Sequence, residues 1–365
     1  MTSPDSFEQR PIGPSAWLFA PPGAGDMQQL QSVVQLVDAE VQRIDRIDPI
    51  RRVLVDRIRA ARRLPAGPPD GPGPPWPDLA LIAGGRSVID ARRLALSSGG
   101  RTGIVCIGRP WAPLDWFDLV ITTPQYGLPR ADNLLQVDLP LNLPRKIETG
   151  FVAQWREAFA NLPRPLLGVL LGGDSGSYRF TGSCAVQMAG ELDRELMRSG
   201  GSAVVVGSPR TPEAAFRQLQ DTLQAPAMFH SWRGDVSNPY QALLHLADAL
   251  AVTGDSASML AEACYSGRPV ALLHLGTRFH SRAFSALRQA TPQLTPLRSA
   301  LTRRGWWLPA RDMALFHDRL LQRGWIRPLA GITANDVPHE QLLSELVEPV
   351  RTRILELVAG KREKR

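Results

Sequence analysis

Residues 249–273 read ALAVTGDSASMLAEACYSGRPVALL, and the fold is decided by how that stretch divides. Ala249–Val252 is a short apolar run of the kind found in a strand buried on both faces. Thr253-Gly254-Asp255-Ser256 breaks it with turn chemistry, and Ser256–Tyr265 then places apolar residues at helical spacing. Pro269–Leu273 is a second apolar run. Short apolar runs alternating with a helical pattern are the signature of a parallel sheet flanked by helices.

Working outward, the same alternation fills the second half of the chain. Leu166–Leu171 reads as a strand ending in Gly172-Gly173-Asp174-Ser175-Gly176. Ala203–Val206 is another, ending in Gly207-Ser208-Pro209-Arg210-Thr211-Pro212, and Ala227–Phe229 is a third. Helices fit the gaps at Gly182–Arg198, Pro212–Leu223 and Pro239–Leu246, and a final helix near Leu342–Val358 precedes a basic tail, Lys361 to Arg365. The first half repeats the pattern. Ala16–Ala20 reads as a strand entering Pro21-Pro22-Gly23-Ala24-Gly25, and Leu30, Val33, Val34, Val37, Val41 and Ile44 recur at helical spacing. Leu79–Ala83, Gly103–Ile107 and Leu119–Thr122 are further buried strands. Pro65–Pro77 holds seven prolines and three glycines in thirteen residues, which predicts a stiff surface loop. A polar, proline-containing passage near Leu143–Gly150 marks the change of domain. The expectation is an α/β protein of two Rossmann-like doubly wound domains facing a cleft, residues 1–148 and 149–340, with residues 341–365 as a C-terminal helix and basic tail.

Composition agrees with that class. In 365 residues, 44% are hydrophobic and 21% charged, which suits two globular cores rather than a disordered or membrane-embedded chain. No apolar run approaches the ~20 residues of a spanning helix. Met1–Arg10 lacks the basic start and apolar centre of a signal peptide, so a cytoplasmic location is expected. Cys106, Cys184 and Cys264 are far apart, with no metal-binding spacing, and sit in or beside apolar segments; buried thiols and no metal site are expected. The net charge is +7, and residues 41–63 alone hold eight arginines and three aspartates, a local +5. There Arg51, Arg52, Arg57, Arg59, Arg62 and Arg63 flank Val53, Leu54, Val55 and Ile58. Such a run is either the solvated face of a surface helix or a peripheral contact with anionic membrane on its inner face. Nucleic acid is not expected, since no aromatic residues interleave with these arginines.

Candidate chemistry collects where strands end, because ligands of open parallel sheets bind beyond the carboxyl ends of the strands. Gly172 and Gly173 offer backbone N–H groups to an anion, or simply make a tight turn. Ser208, Arg210 and Thr211 place two hydroxyls and a guanidinium at a strand exit, for phosphate or for capping the next helix. Asp255-Ser256-Ala257-Ser258-Met259 opens a helix capped by Ser256, and Glu262 lies six residues further on. A phosphate at the helix start and ribose hydroxyls on the carboxylate would divide the labour between them; a structural Glu262 is the alternative.

These marks, taken in order, resemble a known family. Gly23 and Gly25 with Gln28 and Gln29, Ala83-Gly84-Gly85-Arg86 after a strand, Gly172-Gly173, Ser208–Pro212, Asn238-Pro239-Tyr240, and Asp255-Ser256 through Glu262 to Pro269 are similar to the bacterial relatives of the plant mitochondrial-fission family named for its elongated-mitochondria phenotype. Its bacterial members are usually called glycosyltransferases of the GT-B type. The resemblance spans residues 16 to 330, with Pro209 standing where a second arginine is expected and Asp26-Met27 preceding Gln28 in place of a different polar pair. It implies a nucleotide-sugar donor held by the C-terminal domain, through Gly172, Gly173, Ser208, Arg210, Thr211, Asn238, Tyr240, Asp255, Ser256, Ser258, Met259 and Glu262. It implies a glycan or lipid-linked acceptor, in cell-envelope synthesis, on the N-terminal side near Gly23, Gly25, Gln28, Gly84 and Arg86. Asp26 is the candidate catalytic base by position. No cofactor is implied, and no metal, because basic groups and a helix dipole stabilise the leaving diphosphate. Two other functions share the fold. A nucleotide-sugar epimerase working without NAD needs paired carboxylates and a histidine near the sugar, for which His230, His274 and His280 are the candidates. A non-catalytic adaptor would keep the fold without the chemistry.

Overall fold

A computed structural model describes residues 13–45, 73–85, 87–145, 147–232, 238–277, 292–332 and 339–363. Residues 50–64, Arg86 and His280 lie outside these, so the basic run, one acceptor-side residue and one candidate histidine are not placed.

Two parallel sheets form the molecule. The first contains β1 (Ser15–Phe19), β2 (Glu40–Ile44), β3 (Leu79–Ala83), β4 (Gly103–Ile107), β5 (Leu119–Thr122) and β6 (Leu134–Gln136), in the spatial order β2-β1-β3-β4-β5-β6. The second contains β7 (Leu166–Leu170), β9 (Ser202–Val206), β10 (Ala227–His230), β11 (Ala249–Thr253) and β12 (Val270–Leu273), in the order β10-β9-β7-β11-β12. A short antiparallel ribbon, β8 (Tyr178–Arg179) with β13 (Gly276–Thr277), lies beside it. Counted within itself, the second sheet has the 3-2-1-4-5 order of a Rossmann sheet, and its chain reverses direction of winding between β7 and β11. The first sheet reverses between β1 and β3. Each reversal opens a crevice at the carboxyl ends of its strands.

The inner strands are apolar throughout because both faces are covered. Leu79, Leu81, Val105, Val169 and Val205 are fully buried. Helices α1 (Ala24–Leu36), α2 (Val88–Ser97), α3 (Thr149–Ala158), α4 (Gly182–Ser199), α5 (Glu213–Thr222), α6 (Tyr240–Leu246) and α7 (Ala257–Tyr265) supply the crossovers and covers. Then follow α8 (Thr295–Arg303), α9 (Met313–Gln322) and the long α10 (His339–Arg362).

One helix boundary is corrected here. The first helix does not continue to Ile44. It ends at Leu36, Asp38 turns the chain with a left-handed φ of 48°, and Val41 and Ile44 lie on the edge strand β2, paired in parallel with β1. The last helix reaches back to the first domain. Helix α10 returns to the first sheet, burying Val350, Ile354 and Val358 along one stripe. Lys361 pairs with Asp118 and Arg362 with Asp78, each at 2.8 Å. Asp78 is itself buried and accepts from the Ser15 N–H at 3.0 Å, so it ties the starts of β1 and β3 to the last turn of α10.

Between the sheets, Asp138 is held by Arg319 at 2.7 Å and Arg323 at 2.9 Å. The Asp312 N–H donates to the Gln125 carbonyl, and Arg109 donates to that of Pro309. No helix among the described residues is long and apolar enough to cross a membrane. Cys106 and Cys264 are buried, whereas Cys184 is half-buried in the first turn of α4, where its N–H bonds to the Thr181 cap; that thiol departs from the expected burial.

Candidate functional site

The carboxyl ends of both sheets face a single cleft of about 960 Å³. Two helices begin there. Helix α1 follows β1 through Gly23, which has extended backbone and no side-chain cap bond. Helix α7 follows β11 through Ser256, whose hydroxyl accepts from the Met259 N–H at 3.4 Å. The two starts are nearly in contact: a Cβ on Gly25 would lie 2.5 Å from the Ser258 hydroxyl oxygen. Gly25 is glycine because the neighbouring domain leaves no room for a side chain. Two helix N-termini, each with unpaired N–H groups and the positive end of a dipole, thus converge on one spot suited to an anion.

Most of the residues singled out in the sequence line this cleft: Gly23, Gly25, Asp26, Gln28, Ser208, Arg210, Asn238, Tyr240, Ser256, Ser258, Met259 and Glu262. Of the others, those among the described residues are placed elsewhere, for physical reasons. Gly172 and Gly173 do not offer their N–H groups to a ligand. The Gly172 N–H donates to the Thr253 hydroxyl at 2.7 Å, and the Gly173 N–H to the Asp255 carboxylate at 3.1 Å. They are glycines for close packing, since a Cβ would fall 2.0 Å from Asp255 Oδ1 in the first case and 1.9 Å from the Arg210 carbonyl in the second. Asp255 is buried behind the cleft floor. It accepts from the Thr253 hydroxyl at 2.8 Å and from the Gly173 N–H, and pairs with Arg210 at 3.1 Å. Thr211 is also structural: its hydroxyl reaches back to the end of β7 and accepts from the Ser208 N–H at 2.8 Å. Neither Ser208 nor Thr211 caps α5, whose N-cap is Pro212. Gly84 takes a left-handed φ of 66° in the turn after β3 and stands outside the lining.

The cleft's charges are organised around two carboxylates. Asp26, in the first turn of α1, is reached by solvent through the cleft mouth yet has protein on most sides. Desolvation raises its pKa above the ordinary carboxylate value, and the Arg311 guanidinium partly opposes that. Across the cleft Glu262 is also pushed up by burial, with the Tyr240 hydroxyl, Arg145 and Gln241 working against the shift. Gln241 donates to Glu262 at 3.4 Å, and the buried Tyr240 hydroxyl faces the carboxylate without closing a well-formed hydrogen bond. Asn238 fixes the approach of Tyr240 by accepting its N–H at 2.8 Å. Gln28 reaches the same group from the first domain: its amide donates to the Leu143 carbonyl and accepts from Arg145 at 3.1 Å.

Arg145, Arg311, Trp232 and Tyr126 are lining residues that sequence reasoning missed. Arg145 lies in the passage read only as a domain boundary, and Arg311 in a segment given no element. Trp232 is 46% exposed at the cleft wall. The usable signal was a lone arginine next to proline and asparagine after the last strand of a Rossmann-like half. No group of three or more potential metal ligands occurs among the described residues. Among those residues no histidine lines the cleft, and His230 and His274 lie outside it. His317, unremarked in the sequence, is buried behind β11. Its Nε2 lies 2.8 Å from the Gly254 carbonyl, and burial lowers its pKa to about 4.

A family model described as "Mitochondrial fission ELM1" matches residues 24–348. The mitochondrial fission protein ELM1 of Arabidopsis thaliana is 30% identical over 229 residues, 55% of this chain and 51% of that protein, so the match spans about half the length of the curated relative. Among solved structures, Arabidopsis thaliana UGT89C1 complexed with UDP aligns at a TM-score of 0.46 and 14% identity, over 95% of this chain and 99% of that one. A glycosyltransferase from Rickettsia africae aligns at 0.45 and 9%, over 94% and 99%. The E. coli ADP-heptose heptosyltransferase II aligns at 0.41 and 14%, over 71% and 84%.

Proposed function

The chain belongs to the mitochondrial fission ELM1 family, and from that premise we propose that its cleft binds a nucleotide sugar and transfers the sugar to an acceptor hydroxyl. The observation that carries this reading is the meeting of two helix N-termini with three arginines, Arg145, Arg210 and Arg311, in one cleft. Such a site favours a diphosphate, whose charge the N–H groups and guanidinium forks share. Glu262, 1.5 turns into α7, receives the ribose hydroxyls, and Trp232 and Tyr240 supply walls for the rest of the donor.

In the transfer step Asp26 takes the proton of the acceptor hydroxyl. The acceptor oxygen forms a bond to the anomeric carbon while the bond from that carbon to the diphosphate oxygen breaks. The nucleoside diphosphate leaves with the electron pair, and the helix starts and arginines stabilise its growing charge. Burial raises the Asp26 carboxyl above its ordinary pKa, which makes its carboxylate a stronger base towards the acceptor hydroxyl. The acceptor, a glycan or lipid-linked sugar of the cell envelope, would approach Asp26 from the N-terminal side of the cleft.

A second reading has its own support. Asp255 already occupies Arg210 and the Gly173 N–H, which is what a fold retained as a non-catalytic adaptor would keep. Product analysis with radiolabelled nucleotide sugars separates the two. Asp26→Asn should lower transfer by about 10²–10⁴-fold with donor affinity unchanged. Binding without turnover for every donor and acceptor would favour the adaptor.

A further inference from the structure

Residues 295–311 read TPLRSALTRRGWWLPAR, four arginines without an acidic residue in seventeen positions. Helix α8 turns one face inward, where Thr302 is buried and Thr295, Arg298 and Ser299 line a small cavity of about 210 Å³ shared with Tyr126 and Trp307. Another face is uncovered. Leu294 is 41% exposed, Leu297 58%, Trp306 58% and Trp307 40%.

These groups are neighbours by construction. Leu294, Leu297 and Leu301 recur at three- and four-residue spacing along one side of the helix. Gly305, with a φ of 74°, then turns the chain back, so that the Trp306 and Trp307 N–H groups both donate to the Leu301 carbonyl, at 2.9 and 3.2 Å. The turn is pressed against the first domain, where a Cβ on Gly305 would meet the Pro113 backbone at 2.6 Å. Arg303 and Arg304 are exposed beside it, and Arg303 donates to the backbone carbonyl of exposed Arg130, which ties the segment to the first domain.

Isolated exposed apolar residues are ordinary, but two indoles and two leucines gathered in one place are not. Indoles at a headgroup boundary, leucines below it and arginines on phosphates together match an anionic lipid surface. A nucleic acid would use the arginines and indoles and leave the leucines in water. We propose that the face formed by Leu294, Leu297, Trp306 and Trp307, rimmed by Arg303 and Arg304, docks on an anionic bilayer. Because the segment ends at Arg311 in the cleft, docking holds the cleft mouth close to the lipid surface.

The inference stands whatever the cleft binds, and nucleotide affinity measured on the same variants keeps the two apart. The test is flotation of the full chain with phosphatidylcholine vesicles, with and without phosphatidylglycerol. Binding should require the anionic lipid. Arg304→Gln should weaken it about fivefold, the usual worth of one basic residue near such a surface. Trp306→Ser should weaken it too, and should remove part of the tryptophan quenching caused by brominated lipids. Equal binding to both vesicle types, or full binding and quenching in both variants, would overturn the proposal. So would protection of Trp306 by a short oligonucleotide or by self-association in place of vesicles.

Discussion

At the scale of the residue, what a side chain can do for a ligand depends on what it already does for the protein. Asp255 has a hydroxyl, a backbone N–H and a guanidinium around it, and no solvent, so it serves the floor of the cleft rather than its contents. His317 is similar: its Nε2–H donates to the Gly254 carbonyl, and the ring is held neutral by burial. With a pKa of about 4 in the folded chain against 6.5 for the free side chain, the unfolded state binds the proton first as pH falls. His317 therefore contributes stability that is fully present above pH 6.5 and is lost as pH falls towards 4, about 3 kcal/mol in all. Urea unfolding across that window should show a shallower pH slope in His317→Gln than in the wild type. An equal slope would assign the pH dependence to other groups. Hydrogen-bond ownership of this kind is not legible in sequence. A glycine at a strand exit looks the same whether its N–H faces phosphate, as expected of Gly172 and Gly173, or a neighbouring carboxylate, as found. Arg145 and Arg311 escaped notice because each enters the cleft from a loop far along the chain from the motif it joins.

At the scale of the element, the buried strands were easy to read because parallel strands covered on both faces leave unbroken apolar runs. Edge strand β2 was not, since Val41 and Ile44 continue the helical spacing of Leu30, Val33 and Val37 by coincidence. Only the left-handed turn at Asp38 separates the two patterns. Helices α2, α3, α8 and α9 also went unread, being short and partly polar. For α10 the sequence offered a helix and a basic end but not its destination, which is fixed by acids far upstream, Asp78 and Asp118. That docking is chiefly apolar. Ile354→Ala removes a fully buried side chain from the contact and should cost about 2–5 kcal/mol in a denaturant melt. A loss under about 1 kcal/mol would mean that the helix packs more loosely than its burial implies.

At the scale of the whole molecule, two doubly wound sheets face each other with their winding reversals on the same side, so the strand ends most apt to bind ligands share one cleft. Helix starts and arginines make that cleft attractive to anions, and two carboxylates with raised pKa stand on opposite walls. The central claim is that this cleft holds a nucleoside diphosphate, with Glu262 on the ribose. Isothermal titration calorimetry of a nucleoside diphosphate panel tests it directly, with the matching nucleosides as controls and Glu262→Ala beside the wild type. At least one diphosphate should bind the wild type well above its nucleoside, and Glu262→Ala should weaken that binding by about 1.5–3 kcal/mol, the worth of a hydrogen bond to a charged group. Absence of binding by every diphosphate, or an affinity that Glu262→Ala leaves unchanged, would contradict it.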